Sequence, residues 1–116
     1  MFKRHASVVL LPQGQYTKQG GLLGYNEICE SLETGRPPMI TMWDSAAKAE
    51  YAYQDSKWIS YDSVRTMEEK AEYALELGLA GMFMWSIDTE DFGNKCREGR
   101  YPLLTEINRM FAEKYV

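Results

Sequence analysis

Apolar positions recur along this chain with two periods, interrupted by one run that has no period at all. From Leu79 to Ile87 nine residues carry no charge and a single hydroxyl, Ser86. The run is too short to span a membrane and has no polar alternation, which predicts a buried parallel strand with apolar cover on both faces. Helical spacing flanks it on both sides. Upstream, Val64, Met67, Ala71, Ala74 and Leu75 keep one face over three turns, Asp62 or Ser63 can cap the start, and Gly78 supplies the left-handed residue that ends a helix. Downstream, Pro102 opens a last helix whose stripe is Leu103, Leu104, Ile107, Met110 and Phe111. The order helix, strand, helix is the repeating unit of an α/β barrel or a doubly wound sheet. One such strand cannot make a sheet, so the expected fold is α/β and incomplete.

The first half is organised differently. Residues 1–23 are broken into turns by Pro12, Gly14, Gly20 and Gly21. A helix is expected from Tyr25 to Leu32, with Tyr25, Ile28, Cys29 and Leu32 on one face, so that Cys29 points at a core. The Gly35-Arg36-Pro37-Pro38 run stops it, and short strands follow at Met39 to Trp43, Ala49 to Tyr53 and Lys57 to Tyr61, with Asp55-Ser56 as a tight turn. This section reads as a small antiparallel unit. Asp88 to Gly99 is an irregular, charged loop. There are no repeats or low-complexity segments.

Composition narrows the function only a little. With 116 residues, 45% of them hydrophobic and 26% charged, the chain suits one small domain. A formal net charge of −4, with no basic cluster beyond Lys3-Arg4, argues against a nucleic-acid partner, and no run is long enough for a membrane span. Lys3-Arg4 precedes the apolar Ser7–Leu11, which is short for a secretory leader and has no small-residue cleavage site after it. A start codon inside or spliced onto a longer coding sequence is the simpler reading. With His5 the one histidine and Cys29 and Cys96 the two cysteines, no soft metal-ligand set can be assembled, and no cofactor is implied. Spacing alone leaves open whether the cysteines pair.

Three segments together resemble the C-terminal part of a family-18 glycoside hydrolase, the chitinases and chitinase-like lectins of animals. Leu79 through Cys96 is similar to the family's eighth barrel strand and its loop, written approximately L-G-G-x-M-x-W-S-x-D-x-D-D-F-x-G-x-C. Gly14-Gln15-Tyr16-Thr17 with Gly24-Tyr25-Asn26-Glu27-Ile28-Cys29 looks like the family's small α+β insertion domain. Tyr51-Ala52-Tyr53 to Trp58-Ile59-Ser60-Tyr61-Asp62 looks like the passage from that insertion into the seventh helix. The resemblance implies an incomplete TIM (β/α)8 barrel: 1–14 an unmatched N-terminal segment, 15–61 part of the insertion domain, and 62–116 the final helix-strand-helix. Ala80 stands where the family usually has Gly, Glu90 where it has Asp, and Asn94 where Gly is common. Asn tolerates the left-handed conformation, so the loop can survive that change.

The resemblance also bears on particular residues. It matches Trp85 to the tryptophan that floors the sugar-binding cleft, where an apolar ring stacks on a pyranose; read without the family, Trp85 would be a core tryptophan. By the same resemblance Cys29 and Cys96 match a disulfide that ties the insertion domain to the loop after the eighth strand, which implies a secreted, oxidising setting. Tyr51, Tyr53 and Trp58 either line a wall of a long cleft or form the core face of their hairpin. Asp88, Glu90 and Asp91 are read as solvated or capping groups rather than an acid pair or metal site. Met82 and Met84 are core filler. Hydrolysis in the family needs the Glu of a D-x-x-D-x-D-x-E motif, which this sequence lacks: Asp88 and Asp91 share the first spacing, but Gly93 and Lys95 stand at the later positions. No catalytic residue is therefore assigned. The implied partner is chitin or an N-acetylglucosamine oligomer, the rival expectations being a chitin-binding lectin without catalysis and a non-functional truncated product.

Overall fold

The computed structural model describes residues 14–115. His5, the Ser7–Leu11 run and nearly all of the unmatched N-terminal segment lie outside the described residues. The elements, in order, are α1 (Tyr25–Thr34), β1 (Ile40–Asp44), β2 (Ala49–Gln54), β3 (Lys57–Tyr61), α2 (Val64–Glu76), a single 3-10 turn (Ile87–Thr89) and α3 (Pro102–Tyr115). The first helix runs two residues past Leu32, and its end is closed by the Gly35 N–H bonding to the Ser31 carbonyl. The sheet is an antiparallel meander in the order β1-β2-β3. Asp55, with φ of 50°, makes the tight turn between β2 and β3. Ser63 rather than Asp62 caps α2, its side-chain oxygen accepting from the Thr66 N–H at 3.3 Å. Gly78 closes that helix at φ of 71°.

Two small cores hold these elements. Ile28 of α1 packs on the inner face of the sheet with Met39, Ala52 and Ile59. Tyr25 and Cys29, on the same helix, pack with Met67 of α2 and with Leu103 and Ile107 of α3. Tyr61, the last residue of β3, touches both clusters and joins them. The N-terminal loop is secured by one carboxylate: Glu27 accepts the N–H groups of Tyr16 and Gly24, each at 2.7 Å. Gly14 packs against that carboxylate so closely that a Cβ would lie 2.5 Å from its oxygens.

The expected buried strand is the main correction. Residues 79–86 join no sheet, and residues 80–85 make no backbone-to-backbone hydrogen bond among the described residues. Their side chains divide by parity. Met82 and Met84 pack against the α2 and α3 cluster, whereas Phe83 and Trp85 stand 84% and 87% exposed. Among the described residues the apolar run thus has cover on one side only, since the helices reach one side and no described strand pairs with it or lies across the other.

Tyr25 and Tyr61 sit where the two cores meet, and both phenols are held protonated well above the usual tyrosine range. Burial is the main cause in each, reinforced by the Glu98 carboxylate beside Tyr25 and by Glu50 beside Tyr61. The native state keeps protons that the unfolded chain releases above about pH 10, so this contribution is intact below that pH and fades as the pH rises through and beyond it. Urea unfolding followed from about pH 9 to about pH 11 should show stability falling, and Tyr25→Phe should flatten the fall. An equal pH slope in the variant would show that Tyr25 has no part in it.

Candidate functional site

The loop after residues 79–87 is built by two buried acids whose oxygens are taken up by main-chain donors. Glu90, 2% exposed, accepts the Asp91 N–H and, at 2.8 Å, the Leu104 N–H in the first turn of α3. An anion at that end of a helix satisfies an otherwise orphaned donor and complements the helix dipole. Asp91, fully buried, accepts the N–H groups of Lys95 at 2.8 Å and Cys96 at 2.7 Å. The expectation of capping holds for both, but they are buried rather than solvated. Asp88 is exposed and accepts from the Ser86 hydroxyl. Asn94 takes the left-handed conformation, φ of 57°, as Asn permits.

This loop is fastened to α1 at several points. Cys29 and Cys96 are disulfide-bonded, closing a separation of 67 residues. In the chain-entropy model a loop of that length contributes about 4 kcal/mol by limiting the unfolded state. Around it the Tyr25 phenol donates to Glu98 at 2.8 Å and Lys95 pairs with Glu30 at 2.7 Å. The Tyr16 and Phe92 rings meet edge to face at 5.7 Å.

Fixed in this way, the end of the 79–87 segment borders an open cavity of about 370 Å³. Leu22 enters it from the N-terminal loop, Ser60 and Tyr61 from β3, Met82 and Met84 from its floor, and Trp85 from its rim. The Trp85 indole is not the core residue it would be without the family. Phe83 lies beside it, ring centroids 6.3 Å apart, and the Trp85–Ser86 peptide is cis. Of the acids bordering the cavity, Glu90 is committed to backbone donors and Asp62 to Lys70, at 2.7 and 2.9 Å. The cavity lining thus combines apolar side chains and rings with the hydroxyls of Ser60 and Tyr61.

Tyr51 and Tyr53 line no part of this cavity. Nor do they form the core face of the hairpin, which belongs to Ala52 and Ile59; with Trp58 they occupy the outer face. Sequence reasoning missed Leu22 and Phe83. Phe83 was within reach, because positions two apart on an extended chain share a side and Trp85 had already been singled out. Leu22 carried no local signal. Among the described residues no group of three potential metal ligands is gathered, and no helix is long and apolar enough to cross a membrane.

Likeness to known proteins decides the family. The model of the family described as glycosyl hydrolases family 18 matches residues 2–90, most of the chain. The chain belongs to that family. It is 37% identical over 97 residues to human chitinase-3-like protein 2, a match covering 83% of this chain and 24% of the relative. It is 36% identical over 101 residues to probable chitinase 10 of Drosophila melanogaster, covering 86% of this chain and 4% of the relative. Among solved structures, the Ostrinia furnacalis Group IV chitinase superposes with a TM-score of 0.84 at 41% identity, over 89% of this chain and 28% of that one. Human YKL-39, described as a pseudo-chitinase with retained chitooligosaccharide binding, superposes at 0.80 with 33% identity, over 89% and 28%. The chain thus spans 28% or less of these relatives, and its fold is a partial α/β fragment of the chitinase fold.

The two buried acids make a direct prediction. Asp91→Asn keeps the shape but leaves one acceptor oxygen for two N–H groups, so stability should fall by about 1 to 3 kcal/mol in chemical denaturation. Amide hydrogen exchange at Lys95 or Cys96 should quicken with it. Unchanged stability and exchange would mean that Asp91 takes no part in holding the loop.

Proposed function

We propose that this chain supplies one wall of a chitin-binding cleft, with Trp85 as the ring on which an N-acetylglucosamine unit stacks. The observation that carries this reading is the placement of Trp85: it projects almost fully exposed from a segment whose opposite side is packed on helices, at the rim of a cavity lined by further apolar and hydroxyl groups. An aromatic face offers a pyranose apolar contact while neighbouring hydroxyls serve its polar edge. Relatives of this fold have been crystallised with allosamidin and with chitooligosaccharides, which supports a carbohydrate of that class here.

In this reading residues 15–61 are part of the insertion domain and 62–116 are the seventh helix, eighth strand and eighth helix of the barrel, with 1–14 a separate segment. The 79–87 run would then be the eighth strand, and Phe83 and Trp85 would face the barrel interior. The Cys29–Cys96 bond suits a secreted protein. Within these 116 residues no D-x-x-D-x-D-x-E acid is present and the carboxylates beside Trp85 are engaged, so the chain itself binds and does not hydrolyse. Cleavage of β-1,4-linked N-acetylglucosamine would be an activity of a longer parent.

Titration of the oxidised chain with a chitin oligomer, followed by heteronuclear NMR at the Trp85 indole, tests this. Binding should shift that resonance, and Trp85→Ala should weaken the affinity about tenfold or more, the equivalent of at least about 1.4 kcal/mol. An oligomer that binds equally well to the variant would remove Trp85 from the site.

A further inference from the structure

We propose that two copies of this chain pair edge to edge through residues 81–85, antiparallel about a two-fold axis at Phe83, with the Trp85 ring inside the contact. The pairing stands on the geometry of the segment alone, whereas its competition with a sugar rests on the reading of Trp85 given above.

The segment has the properties of a sheet edge. Exposure alternates residue by residue from Gly81 to Ser86, the mark of an extended chain with one covered side. Among the described residues, however, 80–85 make no backbone-to-backbone hydrogen bond and join no sheet. A row of unpaired N–H and C=O groups on an extended apolar segment is a template for another strand. In a longer parent, neighbouring barrel strands would take this edge. For the 116-residue chain, three features select a second copy.

The first is self-complementarity. Antiparallel pairing about Phe83 sets Phe83 opposite its own copy, Trp85 opposite Gly81 and Met82 opposite Met84. Directly opposed side chains share one face, so the methionines stay on the helix side while the exposed rings gather on the other. Gly81 has no atom within 4 Å of where a Cβ would stand, which leaves room for the partner's indole. Leu79 and Ile87, both exposed, lie at the two ends. The second feature is charge. A self-paired strand brings like charges together, and from Leu79 to Ile87 there are none. The third is area. At roughly 150–250 Å² per ring, the four rings of Phe83 and Trp85 from both copies supply roughly 600–1,000 Å². Leu79, Ile87 and the main chain carry the total past about 1,000 Å², the size at which an interface becomes specific. Because the contact covers Trp85, a second copy and a stacked sugar exclude each other.

Sedimentation equilibrium of the oxidised chain should show a monomer–dimer equilibrium. Phe83→Lys, which sets two ammonium groups against each other at the axis, should weaken the dimer about tenfold or more, and a hexamer of N-acetylglucosamine should shift the unmutated chain toward monomer. A chain still monomeric at about 1 mM overturns the pairing. So does a series of larger species, which would mean that the contact does not close on a two-fold axis. A dimer that withstands Phe83→Lys but is lost in the double variant Trp58→Ser, Tyr53→Ser belongs to the outer face of the sheet and also overturns it. A hexamer that moves the Trp85 indole and leaves the dimer intact removes the pairing but keeps the sugar reading. An indole unmoved by the hexamer, with a dimer sensitive to Phe83→Lys, removes the sugar reading and keeps the pairing. Should Phe83→Lys fail to fold, the unmutated chain still decides: amides among residues 81–85 should exchange more slowly as protein concentration rises, and rates independent of concentration end the proposal.

Discussion

An extended chain has two faces, and in residues 79–87 the helices α2 and α3 can cover only one of them. Met82 and Met84 are drawn into the cluster with Met67, Leu103 and Ile107, which fixes the rotation of the segment about its own axis. Parity then forces Phe83 and Trp85 outward, because successive side chains on an extended backbone point to opposite sides. The exposure of Trp85 is thus a consequence of core packing next door. Among the described residues, the backbone groups of residues 80–85 make no backbone-to-backbone hydrogen bond.

Two buried acids, Glu90 and Asp91, hold that segment in place. A chain with two modest apolar clusters has little hydrophobic burial with which to order a loop as long as Asp88 to Tyr101. Glu90 and Asp91 substitute for it by collecting four main-chain N–H groups between them, one of them in the first turn of α3. The disulfide and the Lys95–Glu30 and Tyr25–Glu98 contacts then fasten the loop to α1, which itself lies on the sheet. Helix α1 is thus tied to the loop before α3 as well as to the α2 and α3 cluster.

Much of this could be read from residues alone, and the failures have physical causes. Helix spacing located α1, α2 and α3, and turn chemistry at Asp55-Ser56, Gly78 and Pro102 fixed their ends and the hairpin, since these depend on local backbone preferences. The 79–87 run was rightly seen as apolar on both faces, but burial is a property of neighbours, and no local pattern reports which neighbours a chain contains. The outward aromatics of the hairpin were misleading for a related reason. Alternation identifies two faces of a sheet without saying which one meets the helix, and here the small Ala52 and the branched Ile59 took the inner face because α1 approaches closely there. Glu90 and Asp91 looked like solvated loop acids because a sequence does not show how many N–H groups a fold will aim at one carboxylate.

The commitments of those carboxylates bear on what kind of site this is. A general acid must keep a proton available within reach of the bond it cleaves, whereas a carboxylate accepting two short main-chain hydrogen bonds is held as an acceptor by the fold. Glu90 and Asp91 are both of the second kind, and Asp62 is taken by Lys70. The buried acids, the disulfide and the methionines packed on the α2 and α3 cluster all act to fix the backbone from which the exposed Trp85 ring projects.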